Sequence, residues 1–214
     1  MIRRFLRRLY PPKCVLCEKI LELSETDLCL HCRMEQPEFT DRKKNISFIA
    51  QWTAMWYYIG DVRKSLHNYK FHHHKIHAQA YGRLLAMHLL GKEMTQVDLI
   101  TWVPISAKRK RERGFDQDKL ICKQVAKELA LPCLSTLKKH RHTDAQSHLV
   151  GIAPRRANIM GAYRVIDPAR VAGKQILLID DIITTGATAS ECAKILLLAG
   201  AKEVIFAAVA ASEK

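Results

Sequence analysis

Two groups of residues in this sequence have the types and the spacing to do chemistry. The first is the pair Asp180 and Asp181, followed after two apolar residues by Thr184, Thr185, Gly186, Ala187 and Thr188. Small residues let a backbone approach a phosphate, N–H groups at the start of a helix point at it, and threonine hydroxyls add donors. The two carboxylates just upstream are acceptors for the vicinal hydroxyls of a ribose or, through water, for a magnesium ion. Phosphate cradle and carboxylate pair together read as a site for a ribose 5-phosphate, since a bare helix cap needs one Thr or Asp and not the whole series. The second group is Cys14, Cys17, Cys29 and Cys32, which reads CVLC, eleven residues, CLHC. Two residues between cysteines let both thiolates of a knuckle reach one ion, and a second knuckle completes a tetrahedral site suited to zinc. Four thiolates leave no open coordination position, so the expected metal is structural and supplies much of the folding free energy of a small module. His31, inside the second knuckle, is an alternative to Cys29 or Cys32 as a ligand.

The elements that must position these groups can be read around them. Residues 176–179 (ILLI) form a continuous apolar run, the pattern of a strand buried on both faces, and the two acids are expected to end it. An apolar-periodic helix follows the small-residue turn as far as Leu198, Gly200 stops it, and residues 204–209 supply another buried strand. Such a βαβ unit holds its chemistry at the carboxyl end of its first strand, where open α/β sheets bind ligands. Residues 98–103 (DLITWV) and 54–59 (AMWYYI) read as further strands, with Asp61 capping a helix to Tyr69 and a second helix over residues 76–90. Trp52, Trp56, Tyr57 and Tyr58 are candidate stacking surfaces for unpaired bases, but Trp56 and Tyr58, two apart on one strand, are expected in the core. Cys122, Cys133 and Cys192 read as buried, inert thiols.

Composition bounds the rest. A chain of 214 residues with 48% hydrophobic and 26% charged residues is expected to fold as one α/β domain plus a small module, divided here into residues 1–45 and 46–214. No apolar stretch approaches the roughly 20 residues of a membrane-spanning helix, and the arginine-rich start has no apolar segment or cleavage site, so a cytoplasmic protein is expected. Neither a Walker-type loop nor a GxGxxG fingerprint occurs, which removes the main support for ATPase and dinucleotide chemistry. The net charge of +14 is concentrated in residues 101–160, which hold 13 Lys+Arg against 5 Asp+Glu. A local positive field of that kind concentrates polyanions, and Lys108, Arg109, Lys110, Arg111 and Arg113 are the candidate nucleic-acid contacts. Consecutive histidines at 72, 73 and 74 point in different directions, so that stretch reads as an exposed loop rather than a second metal site.

The segment ILLIDDIITTGAT closely resembles the phosphoribosyl pyrophosphate signature of type I phosphoribosyltransferases. The resemblance implies a parallel sheet flanked by helices, ribose hydroxyls on Asp180 and Asp181, and the 5-phosphate on Thr184, Thr185, Gly186, Ala187 and Thr188. It also implies magnesium accompanying phosphoribosyl pyrophosphate. By the same resemblance Ser106, Ala107 and Lys108 form the pyrophosphate loop, and residues 140–146, with Arg141 as catalytic cation, form a mobile lid followed by Arg155, Arg156, Ala157 and Asn158. A cationic lid stabilises charge developing on departing pyrophosphate. Four blocks in order, CVLC with CLHC, KRERGFDQ, RHTDAQSHL with RRANIMGAY, and LLIDDIITTGAT, resemble the ComF/GntX family of late competence proteins along almost the whole chain. That resemblance implies a zinc-finger-like segment joined to the phosphoribosyltransferase fold, binding of single-stranded DNA during DNA uptake and transformation, and a ComFA-type helicase as neighbour. The alternative is an active phosphoribosyltransferase that passes the pentosyl group to a nitrogen nucleophile, for which no pocket is specified. Asp116 departs from the family block, where an amide is usual, and is expected to add negative charge and alter a local hydrogen bond.

Overall fold

The computed structural model describes residues 11–40, 45–71, 74–141 and 157–213. In chain order the elements are α1 (Leu30–Glu35), β1 (Gln51–Tyr57), α2 (Gly60–Phe71), α3 (His77–Gly91), β2 (Leu99–Trp102) and α4 (Ala107–Arg113). They continue with α5 (Gln117–Leu129), β3 (Leu137–Lys139), β4 (Tyr163–Val165), β5 (Gln175–Ile183), α6 (Ala187–Leu198) and β6 (Glu203–Ala211). Four strands form one sheet in the order β1-β6-β5-β2 with every pair parallel, and β3 and β4 pair antiparallel as a separate ribbon.

The strand sequences explain the layering. Leu177 and Ile179 of β5, with Ile205, Ala207 and Val209 of β6, belong to one buried cluster with Val62 and Leu66 of α2, Tyr81 and Leu85 of α3, and Ile121 and Val125 of α5. Ile176 and Leu178, with Val204, Phe206 and Ala208, belong to a second cluster with Ala189, Cys192, Ala193 and Leu196 of α6. Alternate residues point to opposite faces, so a strand that is apolar at every position needs a helical layer on each side.

Three boundaries differ from the sequence expectation. Strand β5 runs through Asp180 and Asp181 to Ile183, because Ile182 and Ile183 still pair with Ala210 and Ala211; the acids lie inside the strand and do not end it. Strand β1 begins at Gln51, where pairing with Ile205 holds a polar residue extended, and it stops at Tyr57, leaving Tyr58 only partly buried beyond it while Trp56 is in the core. Helix α2 starts at Gly60, so Asp61 is a first-turn acid favoured by the helix dipole and not the cap.

The cysteine segment packs on α2 and α3. Cys14, Val15, Leu16, Leu21, Leu28, Cys29 and Cys32 share the first cluster with residues of those helices. Ser65 Oγ donates to the Val15 carbonyl, Arg83 forms an ion pair with Asp27, and Asn68 donates to Glu18 at 3.2 Å.

Candidate functional site

The site follows from where the strands stop. Strand β2 is in register with β5 only as far as Trp102 opposite Ile179, and the Val103 N–H donates to Ile179 O at 2.9 Å before Pro104 turns the chain away. Beyond that point β5 continues for four residues paired to β6 alone, which opens a crevice on its β2 side. Helix α5, after β2, covers one face of the sheet, and α6, after β5, covers the other. The crevice is therefore the topological switch point of the sheet, the place where such folds bind ligands.

Asp180 and Asp181 stand at this crevice; adjacent in a strand, their side chains leave it on opposite faces, yet one carboxylate oxygen of each lies within 4.8 Å of the other. Asp181 faces α2 and α5, is 8% exposed, and accepts an ion-pair contact from Lys70 Nζ at 2.9 Å. Asp118, in the first turn of α5 and only 3% exposed, brings a third carboxylate; one oxygen from each of Asp118, Asp180 and Asp181 lies within 4.8 Å of the others. Asp180 Oδ1 accepts the Asp181 backbone N–H at 2.9 Å. On the Asp180 side stand Lys139, whose Nζ sits 5.2 Å over the Tyr163 ring, and the buried Cys192.

Burial pushes Asp180 up to about 8, the charge of Asp181 adds to the shift, and Lys70 opposes it. Asp118 is raised well above the carboxylate range by burial first and then by Asp181, Asp180 and Asp116. Lys139 is pushed down to about 8 by burial, with Arg109 adding to the effect. A carboxyl whose folded value lies above its unfolded value of about 3.9 contributes stability that is complete below the unfolded value and is lost as pH rises through the folded one. In magnesium-free buffer the thermal midpoint of the wild-type chain, taken relative to Asp180→Asn, is therefore expected to fall between about pH 4 and pH 8. A difference constant across that window would contradict the buried like-charge environment.

The phosphate-type turn begins where β5 ends. Gly186 has φ +78° and an added Cβ would lie 3.2 Å from Ile46 Cγ1, so both conformation and space call for glycine. The Ala187 N–H donates to Thr185 Oγ1 at 3.4 Å, and α6 begins at Ala187, which puts Thr188 in its first helical turn. That turn contains no acidic residue.

Ser106, Ala107 and Lys108, read as a loop, are instead the cap and first turn of α4. Ser106 Oγ accepts the Arg109 N–H at 3.3 Å, which converts the residues after it into helix. The cationic run is that helix itself, with none of its residues buried, and Arg113 lies 5.1 Å over the Phe71 ring. Asp116 is the N-cap of α5 and accepts the Lys119 N–H at 3.1 Å. Asn and Asp cap equally well, which accounts for an acid in place of the usual amide.

Arg141 donates to the carbonyls of Asn158 and Met160 at 3.1 and 2.8 Å. The rest of the expected lid, from residue 142 through Arg155 and Arg156, lies outside the described residues. Sequence reasoning missed Lys70, Asp118 and Lys139. Asp118 directly follows the quoted KRERGFDQ block and Lys70 ends a helix whose other face is buried, but nothing local in the chain says that either meets the acids.

The four cysteine sulfurs lie within 4.8 Å of one another, with Cys17 and Cys29 Sγ 3.7 Å apart. Tetrahedral bonds of about 2.3 Å place sulfurs about 3.8 Å apart, so the cluster has the dimensions of a four-thiolate zinc site. His31 is exposed and outside the group. His74 is partly exposed with Nδ1 3.9 Å from Glu18, and His72 and His73 lie outside the described residues. Cys122 and Cys192 are buried as expected, whereas Cys133 is half-exposed with its Sγ 3.3 Å from that of Cys122. Trp52 and Tyr57 pack on Phe39, at 5.2 and 5.1 Å between ring centroids. A cavity of about 560 Å³ among Leu28, Phe39, Trp56, Leu84, His88 and Lys92 shares no lining residue with the crevice.

Residues 120–214 match the phosphoribosyl transferase domain family. The chain is 32% identical over 143 residues to the DNA utilization protein YhgH of Escherichia coli (strain K12), covering 65% of this chain and 62% of that protein. It is 25% identical over 215 residues to Competence protein F of Haemophilus influenzae, covering 90% and 93%. Among solved structures it is similar to the glutamine phosphoribosylpyrophosphate amidotransferase from B. subtilis, with a TM-score of 0.42 and 22% identity over 62% of this chain and 26% of that one. The chain thus spans 62% of the length of its YhgH relatives from Escherichia coli. Among the described residues no helix is long and apolar enough to cross a membrane.

Proposed function

We propose, for a chain that belongs to a ComF-like family with a phosphoribosyltransferase domain, a role in handling incoming DNA in the cytoplasm during natural transformation, with single-stranded DNA and a phosphoribosyl pyrophosphate-type ligand as its two anionic partners. The names of the relatives, Competence protein F and DNA utilization protein, support the first half. The observation that carries the reading is the convergence, at one switch point, of the paired acids, the Gly186 turn and the cationic helix α4.

In this reading Asp180 and Asp181 accept from the ribose hydroxyls. The Thr184 to Thr188 turn and the first N–H groups of α6 hold the 5-phosphate. Magnesium, when bound with the ligand, would neutralise its diphosphate. Ser106, Ala107, Lys108 and Arg141 are assigned to the pyrophosphate end. The exposed cations Lys108, Arg109, Lys110, Arg111 and Arg113 track the phosphates of a single strand, and Arg109, close enough to Lys139 to depress it, links that face to the crevice. Residues 1–45 are a zinc-dependent unit, with Cys14, Cys17, Cys29 and Cys32 as ligands, carried on residues 46–214.

A second reading, active pentosyl transfer, is favoured by the acids themselves. Asp180 and Asp118 are carboxyls whose charged form burial disfavours, and their place beside the small-residue turn suits stabilisation of positive charge on a ribose ring as pyrophosphate leaves.

The DNA half is tested by binding of a mixed-sequence single-stranded oligonucleotide across salt concentrations. Affinity is expected to fall steeply with salt, and the triple change Lys108→Gln, Lys110→Gln, Arg111→Gln should reduce the log–log slope by about 2, at about 0.7 per phosphate contact. Binding that ignores salt, or that is weaker than micromolar at low salt, would overturn it.

A further inference from the structure

The geometry points to a protein-borne site for a hard divalent cation, magnesium or manganese, in which Asp118 joins Asp180 and Asp181 as a direct third ligand and the ion binds without any sugar phosphate. This deepens the reading of the crevice as a phosphoribosyl site, in which the ion otherwise arrives with the ligand's diphosphate.

Three observations carry it. One carboxylate oxygen from each of the three acids lies within 4.8 Å of the others, drawn from two elements, α5 and β5, that the packing of the sheet holds together. Octahedral magnesium with bonds of about 2.1 Å places opposite ligand oxygens about 4.2 Å apart, and calcium somewhat further, so the span suits an all-oxygen site with slight contraction. Second, Asp118 is 3% exposed, and its Oδ1 has no hydrogen-bond partner among the described residues although its carboxylate is directed into the cluster. A buried carboxylate oxygen left unpaired carries the full desolvation penalty of the group, and an ion removes it. Third, Lys70 pairs with Asp181 at 2.9 Å. The three carboxylates outnumber the two ammoniums that act on them, Lys70 and the more distant Lys139, so a bound cation offsets charge that the protein leaves uncompensated.

Asp118 also fits the role by position. It stands in the first turn of α5, two residues after the capping Asp116, so its backbone is fixed by a cap that does not involve its own side chain. The cap and the ligand are thus separate acids two residues apart.

The test is a titration of zinc-loaded protein with Mn²⁺, read by the loss of the free-ion electron paramagnetic resonance signal, first alone and then with phosphoribosyl pyrophosphate. One equivalent of Mn²⁺ is expected to bind without the sugar phosphate, magnesium is expected to compete it off, and Asp118→Asn, close in shape to the native residue, should weaken binding at least tenfold. A rise in the thermal midpoint with Mn²⁺ in the wild-type chain, absent in Asp118→Asn, gives a second readout that separates loss of the site from loss of the fold. No Mn²⁺ uptake by the wild-type chain without sugar phosphate, or equal uptake by Asp118→Asn, overturns the inference. If that happens while phosphoribosyl pyrophosphate still binds with magnesium, the phosphoribosyl reading stands alone. If Mn²⁺ binds through Asp118 and phosphoribosyl pyrophosphate does not bind at all, the cation site stands and the phosphoribosyl reading falls.

Discussion

Replacing Cys29 by serine, or stripping the metal with a chelator, is expected to abolish the packed structure of the cysteine segment and to lower the thermal midpoint of the chain by about 8–16 °C. The segment has one six-residue helix, α1, and its remaining order comes from turns and isolated bridges. Cys14, Val15, Leu16, Leu21 and Leu28 are buried, but against α2 and α3 rather than against a core of their own. Cys29 is both a member of the sulfur cluster and the N-cap of α1, accepting the Cys32 N–H at 3.5 Å. Burial pushes the Cys32 thiol up, and a cation among the four sulfurs would offset the cost of its ionised form. Structural zinc contributes about 10–16 kcal/mol in isolated finger peptides. A loss of even about 4 kcal/mol corresponds to about 8–16 °C in a chain of this size. Zinc content by mass spectrometry should fall from one equivalent to near zero in Cys29→Ser alongside the midpoint. A variant that keeps its midpoint while losing the metal would contradict a metal-dependent module.

The second large effect is on ligand binding. Asp180→Asn with Asp181→Asn is expected to weaken phosphoribosyl pyrophosphate by about 10²–10⁴-fold, since hydrogen bonds to a charged acceptor contribute about 1.5–3 kcal/mol each. The fold should survive. Burial and its neighbour's charge disfavour the ionised form of Asp180, so Asp180→Asn alone removes an unfavourable group and is expected to raise the midpoint at pH 8 and above. Lower affinity with unchanged or higher stability is the signature of residues kept for binding at a cost to the fold. Equal affinity in the double variant would remove the acids from the site.

What the sequence made legible follows from how local each signal is. The CxxC pairs, the apolar run of β5 and the small-residue turn are each encoded within a dozen residues; the structure gathers the four cysteines and sets the apolar run and the turn as strand, turn and helix in that order. The strand's length was not legible, because Ile182 and Ile183 are held extended by Ala210 and Ala211 some 28 residues further on. Helix α4 was not legible as a helix, because it is short, mostly cationic and buries nothing; the capping Ser106 was the available signal. Lys70, Asp118 and Lys139 reach the acids through tertiary packing of α2, α5 and the β3–β4 ribbon, which no spacing along the chain encodes.

The most direct test of the central claim is calorimetric titration of the zinc-loaded protein with phosphoribosyl pyrophosphate and magnesium, repeated with a single-stranded oligonucleotide already bound. The expected result is saturable one-site binding to the free protein and at least several-fold weaker binding to the DNA complex, because both anions would draw on the cations of α4, of which Arg109 acts on Lys139 beside the acids. No heat from the sugar phosphate, alongside strong salt-dependent DNA binding, would contradict it and leave the phosphoribosyltransferase fold as a scaffold for the basic face alone.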